Sequence, residues 1–141
     1  MMQFLYGPNR FLVLEAGRSL EEAFRAAQPE GGVTRFHLEE DTPQDFLAAA
    51  APDLFSQARL LVVISPFSLP LPAREPLIAF LEAQETDADI LFLEPAEPKK
   101  NERLFKALAA KTRRARLRCR PRPISRSALM LVLSRGIKAR A

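Results

Sequence analysis

Residues 52–64, PDLFSQARLLVVI, decide the fold of this chain. Their last six residues, 59–64, form a continuous apolar run rich in β-branched side chains, bounded by Arg59 and by Ser65-Pro66. Such a run is typical of a strand buried on both faces of a parallel sheet. The pair Leu54-Phe55 falls on the turn leading into that strand. Turns are usually polar, so this pair either caps the domain's own core or projects into a pocket on another protein.

Strands and helices alternate along the rest of the chain. Short apolar or alternating runs predict strands at 2–6, 33–37, 59–64, 89–93 and 115–119, the last at a sheet edge. Apolar spacing of three and four residues predicts helices at 10–27, at 43–51 after a Thr42 cap, at 74–84, and from an Asn101 cap to about 111. Residues 66–72, with three prolines, predict an extended loop. This order predicts an α/β fold, a parallel five-stranded sheet with helices on both faces.

Composition places the chain in the soluble globular class. Its 141 residues fit one domain, with 48% hydrophobic and 27% charged residues. The single cysteine, Cys119, excludes an internal disulfide and favours a reducing cytoplasm. No apolar run approaches the roughly 18 residues of a membrane span, and the N-terminus has no signal-peptide pattern. We therefore expect a cytoplasmic protein with no membrane contact.

Charge is divided unevenly along the chain. Residues 1–102 hold all 17 acidic residues and 8 Lys and Arg, a net charge of −9, whereas residues 103–141 hold 13 Lys and Arg and no acid. Seven of those cations fall within 111–122. This basic flank is either a charged edge strand or a contact for phosphates or an acidic partner, with Arg113, Arg114, Arg116 and Arg118 as the candidate residues. It contains no aromatic residue, which argues against base stacking.

The residues that a nucleotide site requires are missing from the sequence at both of its expected positions. The first strand-turn-helix has Gly7-Pro8-Asn9-Arg10 where a phosphate-binding loop needs a second glycine, a lysine and a hydroxyl. The strand 59–64 ends in Ser65-Pro66 and not in the acidic residues that would hold a metal ion. We expect no cofactor, no metal and no ATP hydrolysis. His37, Cys119 and the acidic cluster 39–41 suggest structural roles, and Ser56 has no nearby base.

Taken together, these segments resemble the N-terminal domain of the delta subunit of the bacterial DNA polymerase III clamp loader. The resemblance covers about residues 1–120 and is carried by 4–7 (FLYG), the Leu54-Phe55 turn before 59–63, the strand 89–93 and the segment 99–108 (KKNERLFKAL). It implies an ATPase-like fold that has lost its nucleotide site. It also implies that a Leu-Phe pair inserts into a hydrophobic pocket on the ring-shaped sliding clamp, and that the subunit opens the ring.

The resemblance assigns the site and the partners. Leu54 and Phe55 match the anchoring pair, Pro52 and Asp53 would shape the turn, and Ser56 would hold its C-terminal side. The expected partners are the sliding clamp, other clamp-loader subunits and, through the basic flank, DNA. The expected division is an ATPase-like domain over 1–122 followed by a basic tail, or the start of a truncated helical domain, over 123–141. The family continues into further domains, so we expect either a fragment or an unconventional assembly.

Two other functions remain open from the residues alone. A domain of this fold can act as a scaffold or nucleic-acid-binding module through the basic flank. A doubly wound enzyme would have its site at the carboxyl ends of the strands, but no catalytic group of residues supports it.

Overall fold

The computed structural model describes residues 2–52, 58–83 and 86–117. Strands and helices alternate within them as the sequence predicts. The elements are β1 (Met2–Tyr6), α1 (Arg10–Ala27), β2 (Gly32–His37), α2 (Pro43–Ala50), β3 (Arg59–Ile64), a 3-10 turn (Pro66–Ser68), α3 (Leu71–Ala83), β4 (Asp89–Glu94), α4 (Arg103–Lys111) and β5 (Arg113–Arg116).

The strands form one parallel sheet in the order β2-β3-β4-β1-β5. The two most apolar strands, β3 and β4, lie beside each other near its centre, with Val63 opposite Phe92. Strand β2 is at one edge and the basic strand β5 is at the other, where it pairs with β1. The sheet therefore buries the apolar run of residues 59–64 in β3 and leaves the charged strand β5 at its edge.

Helices cover both faces of the sheet, as predicted. On one face α2, α3 and α4 pack on alternate strand residues, including Phe4, Val63 and Phe92. On the other face α1 packs through Val13 and Ala16 on the intervening residues. A Cβ on Gly17 would lie 2.5 Å from Leu93 Cδ1, so the glycine lets α1 approach β4 without interrupting the helix. The α/β fold class is confirmed.

Phe46 attaches α2 to the sheet. Its fully buried ring makes edge-to-face contacts with Phe36 of β2, Phe92 of β4 and Phe80 of α3, at centroid separations of 5.7, 6.1 and 5.5 Å. Such pairs stabilise beyond their buried area and fix ring orientation. The helix that precedes residues 53–57 in the chain is therefore fixed by contacts from three elements.

Several predicted boundaries are wrong in detail. Residues 66–72 are not an extended loop, because they contain the 3-10 turn and the first two residues of α3. Helix α4 has Glu102, not Asn101, at its N-cap, and Thr42 precedes α2 without making a side-chain capping bond. Strand β5 covers Arg113–Arg116 because it pairs with residues 3–6 of β1. Residues 118–141 lie outside the described parts of the chain, so the predicted division at residue 122 stays a prediction.

Candidate functional site

The predicted anchor turn, residues 53–57, falls between α2 and β3 in the sequence. Asp53, Leu54, Phe55 and Ser56 lie outside the described residues. Their described flanks are Pro52, just beyond the end of α2, and Ala58, just before β3, and both are exposed. The described flanks therefore lie at an exposed edge of the sheet, where β3 begins, which we call the amino edge.

A network of hydrogen bonds holds the end of α2 beside the start of β3. The Arg59 guanidinium donates through Nη1 to the carbonyl oxygen of Ala49 at 2.5 Å and through Nη2 to that of Ala51 at 2.6 Å. Nη2 also forms an ion pair with Asp87 Oδ1 at 2.7 Å. The carbonyl oxygen of Ala50 accepts from Thr86 Oγ1 at 2.8 Å. Three successive carbonyls at the helix end thus have side-chain donors, where an α-helix otherwise leaves them unsatisfied.

The sequence indicates Arg59 only as the boundary of a strand. Its role as a helix cap depends on residues 8 to 28 positions away, so no local pattern indicates it. Arginine suits this role because its planar guanidinium presents several donors in a fixed geometry. The remaining nitrogen, Nε, is buried without an acceptor in the described parts of the chain.

The opposite, carboxyl edge of the sheet is where a nucleotide would bind in such a fold. There the N–H of Gly7 points towards the carbonyl oxygens of Glu94 and Ala96, at 3.3 and 3.2 Å. Asn9 Oδ1 accepts from the N–H of Leu12 at 3.2 Å, so a side chain caps the start of α1. A Cβ on Gly7 would lie 2.1 Å from the carbonyl oxygen of Leu117, which explains the glycine by close packing. These donors are engaged inside the domain and are not arranged as a phosphate cradle.

A cleft of about 380 Å³ opens at the same edge, beside the ends of β3 and β4. Glu94 is buried in its wall and accepts from the N–H of Phe67 at 3.0 Å. Burial raises the pKa of the Glu94 carboxyl, the hydrogen bond from Phe67 opposes that shift, and nearby Glu39 adds to it. Ser65 adopts a left-handed conformation, φ 60°, immediately before Pro66.

Arg74 holds the wall of this cleft in place. Its guanidinium donates to the carbonyl oxygens of Phe67 and Leu69, at 2.6 and 2.9 Å, and pairs with Glu102 Oε2 at 2.7 Å. These contacts fix the 3-10 turn against α3 and α4. The sequence signalled neither the buried Glu94 nor the clamping role of Arg74, because both arise from contacts between distant segments.

The basic flank is only partly free to meet a partner. Arg113, Arg114 and Arg116 lie on β5, while Arg118 lies outside the described residues. Arg116 forms an ion pair with Glu97 at 2.7 Å, and the Arg114 guanidinium lies 6.0 Å from the centroid of the Phe105 ring. Within the described part of the flank, residues 113–116 form an edge strand, and two of their arginines contact the domain itself.

Among the described residues, the remaining candidates do not come together as a chemical site. His37 is exposed at the end of β2, and its N–H donates to Asp41 Oδ2 at 2.9 Å. Within residues 2–52, 58–83 and 86–117, no group of three His, Cys, Asp or Glu side chains is placed to hold a metal ion. Cys119 lies outside the described residues. None of the described helices combines the length and apolar character that crossing a membrane requires.

Comparison with known proteins supports the fold. The architecture is an α/β domain with a five-stranded parallel sheet between layers of helices. It is similar to the Bacillus subtilis DNA clamp loader delta protein (YqeN), with a TM-score of 0.60 and 21% sequence identity over 82% of this chain and 38% of that one. This chain thus spans well under half the length of that protein. No known family model matches the sequence, and no curated protein is similar enough to match it.

Proposed function

We propose that this domain belongs to a clamp-loader subunit, binds a sliding clamp through Leu54 and Phe55, and helps to open it during DNA replication. The observation that carries the proposal is a Leu-Phe pair on the turn between α2 and β3, in a fold similar to that of a DNA clamp loader delta protein. Pro52, Asp53 and Ser56 shape this turn. The alternative, a core-capping role for the pair, predicts a different response to mutation.

The surroundings of the turn support an anchor. Both described flanks, Pro52 and Ala58, are exposed, whereas the elements on either side are fixed by Phe46 and Arg59. A loop held on a rigid base loses less conformational freedom when it binds, so more of its contact energy appears as affinity. Large apolar side chains presented in this way are typical binding hot spots.

Opening a ring requires that the contact favour the open ring over the closed one. Each apolar anchor in a hot spot contributes about 2 kcal/mol or more, so two supply about 4 kcal/mol. If the contact forms only with the open or strained state of the clamp, this energy shifts the equilibrium between the closed and open clamp by about 10³-fold. Equal binding to both states would shift nothing. The domain therefore needs no chemical step of its own.

In this proposal the chain is a non-catalytic part of a cytoplasmic replication complex. The sliding clamp is its direct partner, and other clamp-loader subunits supply nucleotide hydrolysis. The amino edge, where the clamp would bind, is separated from the carboxyl edge by the length of a six-residue strand, about 20 Å. DNA contact through the basic flank remains a secondary proposal, since Arg116 and Arg114 already contact the domain.

The test is the double variant Leu54→Ala/Phe55→Ala. We expect its affinity for the purified sliding clamp to fall at least 100-fold by calorimetry, while its melting temperature stays within about 3 °C of the wild-type value. Two lost anchors account for a loss of this size. The matched control is Phe11→Ala, which removes a phenylalanine that is 71% exposed at the start of α1, at the other edge of the sheet. This control should bind the clamp normally.

Core capping would reverse these results. Truncating two large core side chains costs about 3 kcal/mol each, so the double variant would then melt much lower. Unchanged clamp affinity together with a collapsed melting temperature would assign Leu54 and Phe55 to the core and overturn the proposal.

A further inference from the structure

Strand β2 forms one edge of the sheet and has a neighbour on one side only. Among the described strands it pairs with β3 alone, in continuous register over its six residues. At the two ends of this pairing the N–H groups of Gly32 and Leu38 donate towards β3, to the carbonyl oxygens of Ala58 and Ile64 at 3.1 and 3.0 Å. Successive residues of a strand direct their backbone groups to opposite sides, so every second residue of β2 points away from β3.

The outward-pointing residues of β2 are Val33, Arg35 and His37. The turn after the strand satisfies His37: its N–H donates to Asp41 Oδ2 at 2.9 Å, and its carbonyl oxygen accepts from the N–H groups of Glu40 and Asp41 at 2.9 and 2.7 Å. The outward groups of Val33 and Arg35 have no partner in residues 2–52, 58–83 and 86–117. Each of these two residues therefore offers one donor and one acceptor along the edge.

Strand β2 also lacks the features that usually keep an edge strand from pairing, which are prolines, bulges and free charges. It contains no proline, and its register with β3 has no bulge. Its one Lys or Arg, Arg35, donates from Nε to Glu21 Oε1 of α1 at 2.8 Å, so its charge is already paired inside the domain. At the other end of the sheet, by contrast, β5 has arginine at three of its four positions. The backbone of β2 is therefore open to another strand.

We propose that β2 pairs antiparallel with β2 of a second copy of this chain, with Thr34 of one copy opposite Thr34 of the other. This register places Val33 of each copy opposite Arg35 of the other. Each of these two pairs exchanges two N–H···O bonds, and together the bonds use every outward group of Val33 and Arg35 in both copies. The two five-stranded sheets then form one continuous sheet.

The neighbouring registers are less favourable. Outward-pointing residues must face each other, so the register can shift only in steps of two residues. A shift one way sets Arg35 opposite Arg35, which is destabilising, and requires the N–H of His37, which already donates to Asp41. A shift the other way requires the N–H of Gly31, which donates to the carbonyl oxygen of Gln28 at 2.9 Å. The edge is thus complementary to itself in one register, and this is why a second copy fits it.

The contact is small, so the dimer should be reversible. A stable complex buries about 1,600 Å² in total, and one pair of short strands buries much less. We therefore expect dimerisation in the micromolar range or above. This inference does not rest on the proposed function, and clamp binding is not needed to test it.

The first measurement is sedimentation equilibrium of the full chain between about 1 µM and about 1 mM, the range expected for a contact of this size. We expect the average mass to rise with concentration from that of one chain towards that of two. Thr34→Lys should weaken dimerisation about tenfold or more, because it sets two like charges opposite each other at the centre of the contact.

The matched control is Ala110→Lys, which adds the same charge at an exposed position of α4, the helix beside β1 and β5. This control should dimerise as the wild type does. Thr34 is also exposed, so neither variant should change the melting temperature of the monomer by more than about 3 °C. A loss of dimer in Thr34→Lys alone then reports on the β2 edge and not on folding.

Disulfide trapping tests the register. Facing residues at the non-hydrogen-bonded positions of antiparallel strands have Cα atoms about 4.5 Å apart, which is within reach of a disulfide. In a Cys119→Ser background, Thr34→Cys should therefore form a disulfide-linked dimer on mild oxidation. His37→Cys is the control on the same edge, because in this register the two copies of residue 37 are about 20 Å apart. It should remain largely monomeric.

Three results would overturn the proposal. A mass of one chain at every concentration would exclude pairing of the β2 edges. A dimer that forms equally well with Thr34→Lys would place the contact on another surface. Equal cross-linking of Thr34→Cys and His37→Cys would exclude the proposed register.

Discussion

Replacing Phe46 with alanine tests how strongly α2 is held on the sheet by ring packing. The ring is completely buried, and it is in edge-to-face contact with three other rings from β2, β4 and α3. Truncating a buried phenylalanine costs about 3–5 kcal/mol, because the lost transfer free energy adds to that of the cavity left behind. For a chain of this length such a loss lowers the melting temperature by about 10 °C or more.

The assay is urea unfolding followed by circular dichroism, with Phe11→Ala as the control. Both variants lose the same atoms, but Phe11 is 71% exposed, so its truncation should change the free energy of unfolding by no more than about 0.5 kcal/mol. A loss below 1 kcal/mol for Phe46→Ala, or equal losses for both variants, would refute the packing argument.

Two further predictions concern the carboxyl edge. Burial raises the pKa of the Glu94 carboxyl, so the folded protein holds this proton more tightly than the unfolded chain does. The protonated carboxyl therefore contributes its full stability below the unfolded-state pKa. This stability is lost as the pH rises through the folded-state pKa. Glu94→Gln should therefore melt higher than wild type at pH 8 and at a similar temperature at pH 4; parallel curves across this range would contradict the reasoning. Because Gly7 and Asn9 direct their hydrogen-bonding groups into the domain, we expect no ATP binding by calorimetry with magnesium present, and micromolar affinity would show the site to be competent.

The spacing of apolar residues along the sequence was sufficient to predict the layers of this fold. The strands at 59–64 and 89–94 are largely apolar on both faces, so both of their faces must be shielded from water. A parallel sheet covered by helices provides this shielding. The spacing of Val13 and Ala16, or of Leu104 and Leu108, follows the helical repeat, so the type of each element is fixed locally. The strand-helix alternation then leaves few alternative architectures.

Boundaries and caps were harder to predict, because they depend on neighbours. Strand β5 begins at Arg113 where β1 offers backbone partners, although its sequence is mostly charged. Helix α3 begins at Leu71, where Arg74 holds the preceding carbonyls in place. Propensity indicates neither boundary, because the start of β5 depends on backbone partners in β1 and the start of α3 depends on side-chain bonds from Arg74 to the carbonyls of Phe67 and Leu69.

By itself, the sequence determined the class of fold, the failure of the phosphate-binding motif and the apolar pair before β3. Each of these depends on residue types at short spacing, which a linear pattern records directly. Only the tertiary structure decided that Arg59 bonds to the carbonyl oxygens of Ala49 and Ala51 at the end of α2, that Glu94 is buried at the opposite edge, and that Gly7 lies against Leu117. Each of these depends on distances between residues far apart in the chain, and such distances are set when the strands pack side by side.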